Sequence, residues 1–183
     1  RNSLFSGLMP LEIKNKFPDK WVDEDENEGK NLHEEFFLNE NLNRNSIAGK
    51  FSYNKITNLS KGKKLLSNFN NLLQNNLNTI VYNFVDTLSH ARTEMEVIKE
   101  LAEDESAYRS LTLSWFKHSP LYEMIKRMRD SSSRVFLTTD HGTIRVKNPT
   151  KIMGPKQTNS NMRYKVSKNL SYNKKHVMES LNP

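Results

Sequence analysis

Apolar side chains recur along this chain with two periods, one typical of helices and the other typical of strands. The clearest helical pattern lies in residues 61–77, where the spacings are one, three and four: Leu65, Leu66, Phe69, Leu72 and Leu73. This pattern predicts a helix with one apolar face. Residues 1–17 are also predicted to be helical, with an apolar side made of Leu4, Leu8, Leu11 and Ile13. Pro10 is expected to bend or end the first turns of that helix.

Three further helices are predicted in the second half of the chain. Residues 94–103 and 107–118 each favour a helix. Ser119 followed by Pro120 is typical of a helix start, because serine caps the free N–H groups and proline fits the first helical position. The helix that they begin is predicted to run to about Asp130.

Runs of β-branched and aromatic residues predict the strands. Residues 79–85 read as a buried strand and residues 134–139 as the next one. Residues 143–147 and 162–166 favour shorter strands. Because helices and strands alternate, we predict an α/β fold with a mainly parallel sheet flanked by helices.

Residues 18–60 are predicted to be a surface insertion. Residues 18–50 are polar and uneven, and no strand is evident there. A short helix is expected where three apolar residues cluster: Leu32, Phe36 and Phe37.

Two short motifs follow the predicted strands. Asp86 ends the first strand and is followed four residues later by His90, an offset that places both side chains on one side of a turn or helix start. Asp140 ends the second strand and is followed by His141 and by Gly142. Ligands bind beyond the carboxyl ends of parallel strands. Since carboxylate oxygen and imidazole nitrogen suit zinc, and manganese less strictly, Asp86, His90, Asp140 and His141 are predicted metal ligands.

Each motif taken alone also has an ordinary structural explanation. An aspartate at a strand end can cap the helix that follows, and a histidine can be satisfied in a core. The joint pattern favours a metal, because two carboxylates buried together without a cation are costly. The other histidines are His33, His118 and His176, and none has a partner motif in the sequence.

Charge adds a second candidate for binding. The net charge is +7, and residues 143–178 contain nine lysines and arginines and no acidic residue. A run of one sign attracts anions such as phosphates, although it can also be only a solvated basic loop. Its position directly after the second motif favours a role in binding.

Several classes of protein are excluded by what the sequence lacks. There is no cysteine, which excludes disulfides and thiolate metal sites. No stretch approaches the roughly 20 apolar residues of a membrane span. The first residues also lack the pattern of a signal peptide. A cytoplasmic protein is therefore expected.

Three segments resemble a known family. They are R-N-S-L-F-S-G-L-M-P at residues 1–10, T-T-D-H-G-T-I-R-V-K at residues 138–147 and N-S-N-M-R-Y-K at residues 159–165. These strings are similar to the PglZ-type domain of the alkaline phosphatase superfamily, and in particular to that domain in Bacteroidetes response regulators tied to type IX secretion. The likeness runs over the whole chain and is most specific at its opening and after Arg134.

The resemblance implies a site with two divalent metal ions, zinc foremost. One ion is held by the Asp and His of a D-x-x-x-H motif, which matches Asp86 and His90. The other is held by an Asp-His pair, which matches Asp140 and His141. The family's Thr or Ser nucleophile is expected before Arg1, a further metal-binding Asp before that, and a second His in a later H-G-G segment. The alkaline-phosphatase-like sheet is therefore expected to be incomplete at both ends of this chain.

The resemblance also implies a function. The chain is expected to be part of a phosphodiesterase that acts on short oligonucleotides, with further phosphates held by the basic side chains of Arg145, Lys147, Arg163 and Lys165. A receiver domain, outside this chain, would respond to a sensor histidine kinase and control formation of a homodimer.

Two alternatives stay open at this point. A nucleic-acid-binding or signalling and dimerisation module without catalysis would also use the basic stretch, and its binding would depend on salt but not on metal. Another hydrolase of the superfamily, such as a sulfatase, or a phosphomutase would share the metal site and differ in the substrate pocket.

Overall fold

The computed structural model describes residues 1–21, 32–142, 148–158 and 164–180. The chain divides into two compact units. We call Arg1–His33 together with Thr139–Pro183 the terminal unit, and Glu34–Thr138 the central unit. Among the helices described, none has the length and apolar character needed to cross a bilayer.

The terminal unit begins with two short helices, α1 (Asn2–Ser6) and α2 (Pro10–Lys16), followed by a 3₁₀ turn at Pro18–Lys20. The predicted break at Pro10 is confirmed, since this residue starts α2. Gly7 ends α1 in the left-handed region, at a φ of 63°, which only glycine adopts readily.

The predicted apolar side of these two helices is only partly correct. Ile13 is buried, whereas Leu4 and Leu11 are exposed. Because Pro10 starts a new helix, α1 and α2 do not share the single 3.6-residue register that the prediction assumed. Later in the terminal unit, Met153 and Ser171 form an antiparallel bridge, and a second 3₁₀ turn spans Lys174–His176.

The central unit contains a parallel two-stranded sheet. Strand β1 (Phe51–Ile56) pairs with β2 (Leu77–Tyr82), so that Phe51 lies opposite Leu77. Parallel strands need a crossover connection, which here is helical. The predicted α/β class is confirmed. Strand β1 was not predicted from the sequence, and it lies in the segment predicted as a surface insertion.

Helices make up most of the remaining central unit. In chain order they are α3 (Glu34–Arg44), α4 (Leu59–Ser67), α5 (Phe69–Leu72), α6 (Phe84–Glu94), α7 (Glu96–Leu101), α8 (Glu105–Lys117) and α9 (Pro120–Met128). The predicted start of the last helix is confirmed, because the Ser119 hydroxyl accepts a hydrogen bond from the Tyr122 N–H at 3.2 Å. The predicted helix at 61–77 is two helices, α4 and α5.

The core of the central unit lies between the sheet and helices α4, α5 and α9. Its buried members are Ile56, Leu65, Phe69, Leu72 and Met124. Three of these come from the predicted apolar face of residues 61–77, which is therefore correct in its main positions. Burial of such side chains, at about 1.5–3 kcal/mol each, is the main force that holds α4 and α9 to the sheet.

A buried carboxylate connects helix α3 to strand β1. Glu34, the first residue of α3, is buried and accepts a hydrogen bond from the Tyr53 hydroxyl. The Lys55 ammonium nitrogen lies 2.8 Å from the same carboxylate oxygen. Tyr53 and Lys55 are two residues apart on β1, so both side chains leave the strand on one face. The segment predicted as an insertion is thus joined to the sheet by a paired charge.

One predicted strand is wrong. Residues 134–139 form no strand in the structure, and Phe136 and Leu137 are 86% and 77% exposed. Propensity alone does not make a strand, because a strand needs the backbone hydrogen bonds of a neighbour. In the part of the chain that the structure describes, β1 and β2 pair only with each other. The predicted strand at 143–147 lies outside the described residues, and residues 164–166 of the one predicted at 162–166 are not a strand.

The space beside Gly62 is limited by its neighbours in the central unit. A methyl group at Gly62, in α4, would lie 2.6 Å from the Tyr82 hydroxyl oxygen and 3.2 Å from Cγ of Pro120. That hydroxyl is buried without a hydrogen-bond partner among the described residues, and burial raises the pKa of Tyr82. Alanine gains about 1 kcal/mol of helix propensity, but overpacking costs about 1–3 kcal/mol. We therefore expect Gly62→Ala to lower the free energy of unfolding, measured by urea denaturation, by about 1 kcal/mol.

The matched control is the same change in a Tyr82→Phe background. Phenylalanine lacks the oxygen that the new methyl group would meet, so Gly62→Ala should then be close to neutral. An equal loss of stability in both backgrounds would show that the Tyr82 hydroxyl does not limit the space at Gly62.

Candidate metal centre

Asp86 and His90 lie on a helix and not at the end of a strand. Strand β2 ends at Tyr82, and α6 begins two residues later, so Asp86 is the third residue of α6. The predicted strand at 79–85 is therefore too long. Its last two residues, Phe84 and Val85, have high strand propensity but form the first turn of the helix.

The four-residue offset brings Asp86 and His90 to one face of α6. His90 Nε2 lies 3.7 Å from Asp86 Oδ1. The Asp86 side chain is half-buried, and His90 is exposed. The pair thus offers one oxygen and one nitrogen donor on a surface that an ion can reach.

Helix α8 holds the first turn of α6 in place. The ring of Trp115 stacks on that of Phe84, with centroids 3.9 Å apart and planes 4° from parallel. Farther along the same helices, the Arg92 guanidinium lies 5.2 Å from the centre of the Tyr108 ring. A stacked aromatic pair such as Phe84 with Trp115 adds about 0.5–1.5 kcal/mol beyond its buried area. The stack packs the first turn of α6, which contains Asp86, against α8.

The second pair, Asp140 and His141, belongs to the terminal unit. His141 Nε2 lies 3.9 Å from Asp140 Oδ1. The Asp140 side chain is 25% exposed and His141 is exposed. The two donor atoms therefore lie close enough to contact one ion, but residues 134–139, which precede them, form no strand, so the predicted position of this pair at the end of a strand is wrong.

A hydrogen bond fixes the tautomer of His141. Its Nδ1 lies 3.2 Å from the carbonyl oxygen of Gly142. A carbonyl oxygen can only accept, so Nδ1 carries the proton and Nε2 of the neutral ring keeps its lone pair. A metal-binding histidine commonly donates its other ring N–H to a carbonyl in this way. The Thr139 hydroxyl also donates to the His141 carbonyl, at 2.7 Å.

Arg1 pairs with the other oxygen of Asp140. Arg1 Nε donates to Asp140 Oδ2 at 2.9 Å. Burial raises the pKa of Asp140. The hydrogen bond and the positive charge of Arg1, a backbone hydrogen bond and the nearby His141 lower it by more, so the pKa lies below its ordinary value. Asp140 is consequently ionised at neutral pH.

The chemistry of the donors fits zinc. Within the residues that the structure describes, no group of three or more His, Asp or Glu side chains is arranged to hold an ion. Each pair therefore supplies two donors, which is half of a four-coordinate zinc shell. The two pairs belong to different units, and the assignment of all four residues as ligands stays a prediction.

The predicted phosphate-binding residues are mostly not described. Arg145, Lys147 and Arg163 lie outside the described residues. Lys165 is half-buried, in a stretch without regular secondary structure. Among the other histidines, His118 bonds through Nδ1 to the carbonyl of Ser114 at 2.7 Å, which fits a helix cap better than a ligand.

Two contributors to the site were missed from the sequence. Arg1 reaches Asp140 from a distance of 139 residues along the chain. Trp115 supports the first turn of α6 from another helix. No local pattern signals either contact, since both depend on how distant segments pack.

The chain belongs to the PglZ family: residues 1–182 match the BREX system PglZ alkaline phosphatase-like domain. This match confirms the resemblance seen in the sequence at the level of the family, and it suggests a hydrolase of the phosphoesterase type. Superfamily members generally use divalent metals. No curated protein matches the chain.

The lowered pKa of Asp140 predicts a pH dependence of stability in protein freed of metal by a chelator. A carboxylate whose folded pKa is lowered contributes stability that is present above its unfolded pKa, about 3.9, and is lost as the pH falls through the folded pKa. Asp140→Asn should therefore lower the free energy of unfolding at pH 7, and the difference from wild type should shrink toward pH 2.5.

Arg1→Ala should also lower the free energy of unfolding more at pH 7 than at pH 2.5, because Arg1 supplies the charge and the hydrogen bond that lower the pKa of Asp140. Urea denaturation at both pH values measures the effect. Equal stability of wild type and Asp140→Asn at pH 7 would contradict the role given to this pair.

Proposed function

We propose that this domain is part of a zinc-dependent phosphodiesterase that cleaves short oligonucleotides. Asp86 and His90 would hold one ion, and Asp140 and His141 the other. The observation that carries the proposal is that each pair brings a carboxylate oxygen within 4 Å of an imidazole nitrogen, at 3.7 and 3.9 Å. Both pairs occur in a chain whose family is alkaline phosphatase-like.

The residues of this chain would contribute binding and charge. When bound, divalent ions of this kind supply Lewis acidity and activate a hydroxyl nucleophile at neutral pH. The ionised carboxylates of Asp86 and Asp140 would balance the charge of the cations. The basic segment at residues 143–178 would hold neighbouring phosphates of the substrate. Lys165 is its described candidate, together with Arg145, Lys147 and Arg163 from the sequence.

We also propose that a two-component signalling system regulates this domain. The sequence is similar to Bacteroidetes response regulators tied to type IX secretion. This similarity supports an output domain in the cytoplasm that is coupled to a sensor histidine kinase through a receiver domain. Dimerisation would be the controlled step. The support for this part is the likeness of the opening segment and of residues 138–147.

Catalysis is favoured over nucleic-acid binding alone because a carboxylate and an imidazole lie directly before the basic segment. A module that only binds phosphates gains nothing from carboxylates beside its basic segment, because their charge repels phosphate. Asp140 keeps its negative charge, and His141 keeps a lone pair on Nε2. Each offers a donor atom to a cation.

The test uses the intact protein that carries this domain, because the nucleophile is expected before Arg1. It measures hydrolysis of a phosphodiester, both bis(p-nitrophenyl) phosphate and a short oligonucleotide, with zinc content determined on the same samples. A lost ligand removes several kcal/mol of transition-state stabilisation, so His90→Ala and Asp140→Asn should each lower kcat/KM by at least about a hundredfold. Each should also lose bound zinc, and a chelator should abolish activity in wild type.

His118→Ala is the matched control, because it removes an exposed histidine of the central unit that bonds only to its own helix in the described contacts. It should keep the rate and the zinc content of wild type. Unchanged rate and zinc content in both ligand variants would refute the proposal. Metal-independent binding of the oligonucleotide without cleavage would favour the binding module instead.

A further inference from the structure

We propose that Arg1 is a positioning residue for the metal centre. Its guanidinium holds Asp140 Oδ2, so that Asp140 Oδ1 and His141 Nε2 are presented together to a divalent cation. This inference rests on the proposed function, since it assigns a role to Arg1 at that same site.

The two oxygens of Asp140 have different neighbours. Oδ2 accepts the hydrogen bond from Arg1 Nε at 2.9 Å, whereas Oδ1 lies 3.9 Å from His141 Nε2. A carboxylate rotates easily about its last bond, and a single charge-assisted hydrogen bond on one oxygen fixes which oxygen faces the histidine. Arg1 therefore decides the orientation of the donor.

The histidine beside it is oriented in the same way. The hydrogen bond from His141 Nδ1 to the Gly142 carbonyl, at 3.2 Å, leaves the lone pair on Nε2, which is the atom nearest to Asp140 Oδ1. In each of the two side chains one atom is thus in a hydrogen bond, Oδ2 of Asp140 and Nδ1 of His141. The remaining atoms, Oδ1 and Nε2, lie 3.9 Å apart. Partners that act on ligands in this manner are typical of metal centres.

The Arg1–Asp140 pair lies at the surface, but its side chains are less exposed than those of a typical surface ion pair. The side chains of Arg1 and Asp140 are 11% and 25% exposed. Arg129 and Asp130 make the same kind of contact, from Nε to Oδ1 at 3.2 Å, but their side chains are 83% and 74% exposed. A sheltered pair is less screened by water and holds its geometry better than an exposed one.

Arg1 has two opposite effects on a cation at Asp140. Its positive charge repels the ion, and its hydrogen bond orients the ligand. Loss of such an orienting partner typically lowers metal affinity 10–100-fold. We expect orientation to dominate, since Arg1 contacts Oδ2, whereas Oδ1 is the oxygen that lies 3.9 Å from His141 Nε2.

The experiment is titration of the metal-free protein with Zn²⁺ against a chromophoric chelator. A His90→Ala background removes a ligand of the other predicted ion, so that the Asp140 site is measured alone. In this background Arg1→Ala should weaken zinc binding about tenfold, and Arg1→Lys, which keeps the charge and loses the planar fork, should be intermediate. Arg129→Ala, the exposed counterpart, should bind zinc like its parent.

The outcomes separate this inference from the function on which it rests. If Asp140→Asn leaves zinc binding unchanged, the metal assignment itself is wrong. If Asp140→Asn abolishes binding while Arg1→Ala has no effect, the metal site stands and the role of Arg1 is refuted. Tighter binding in Arg1→Ala would also overturn it, because repulsion would then be the larger effect. Circular dichroism of each variant shows that it has folded.

Discussion

A carboxylate oxygen held within 4 Å of an imidazole nitrogen is the arrangement on which this account depends. It occurs twice, as Asp86 with His90 and as Asp140 with His141. In the first pair the spacing of one helical turn is sufficient. In the second pair the residues are adjacent, and hydrogen bonds from Arg1 and to Gly142 set the orientation. Without a cation such an arrangement has little value for stability, because an exposed pair contributes at most about 1 kcal/mol.

The scaffold around the first pair explains its position. Parallel pairing of β1 with β2 determines where β2 ends, and α6 starts directly after it. The stack of Phe84 on Trp115 packs the first residue of α6 against α8. Asp86 therefore occupies the first turn of a helix beyond the carboxyl end of a parallel strand, the region in which α/β proteins bind their ligands. There the partial positive charge of the helix terminus also favours a carboxylate.

The sequence predicted the fold well where local rules decide it. The periodicity of residues 61–77 identified the core residues Leu65, Phe69 and Leu72, and the Ser119-Pro120 cap placed the start of α9. It predicted less where long-range packing decides. Strand β1 was missed although residues 51–54 alternate between apolar and polar. Lys55 breaks that alternation, and its partner Glu34 lies in a distant segment and is a surface residue by type.

The opposite error occurred at residues 134–139. Their composition is that of a strand, but no described neighbour supplies the backbone partner that a strand requires. The same limit applies to the site. Asp86, His90, Asp140 and His141 were predicted as ligands from their spacing, and that assignment stays a prediction. Arg1 could not be predicted, because its contact with Asp140 spans 139 residues.

An anomalous difference map of the zinc-loaded protein, recorded at the zinc edge, tests the assignment of both pairs as metal ligands. We expect zinc peaks within about 2.0–2.2 Å of the carboxylate oxygens and imidazole nitrogens of both pairs. Zinc bound elsewhere, with no peak at either pair under saturating metal, would contradict it.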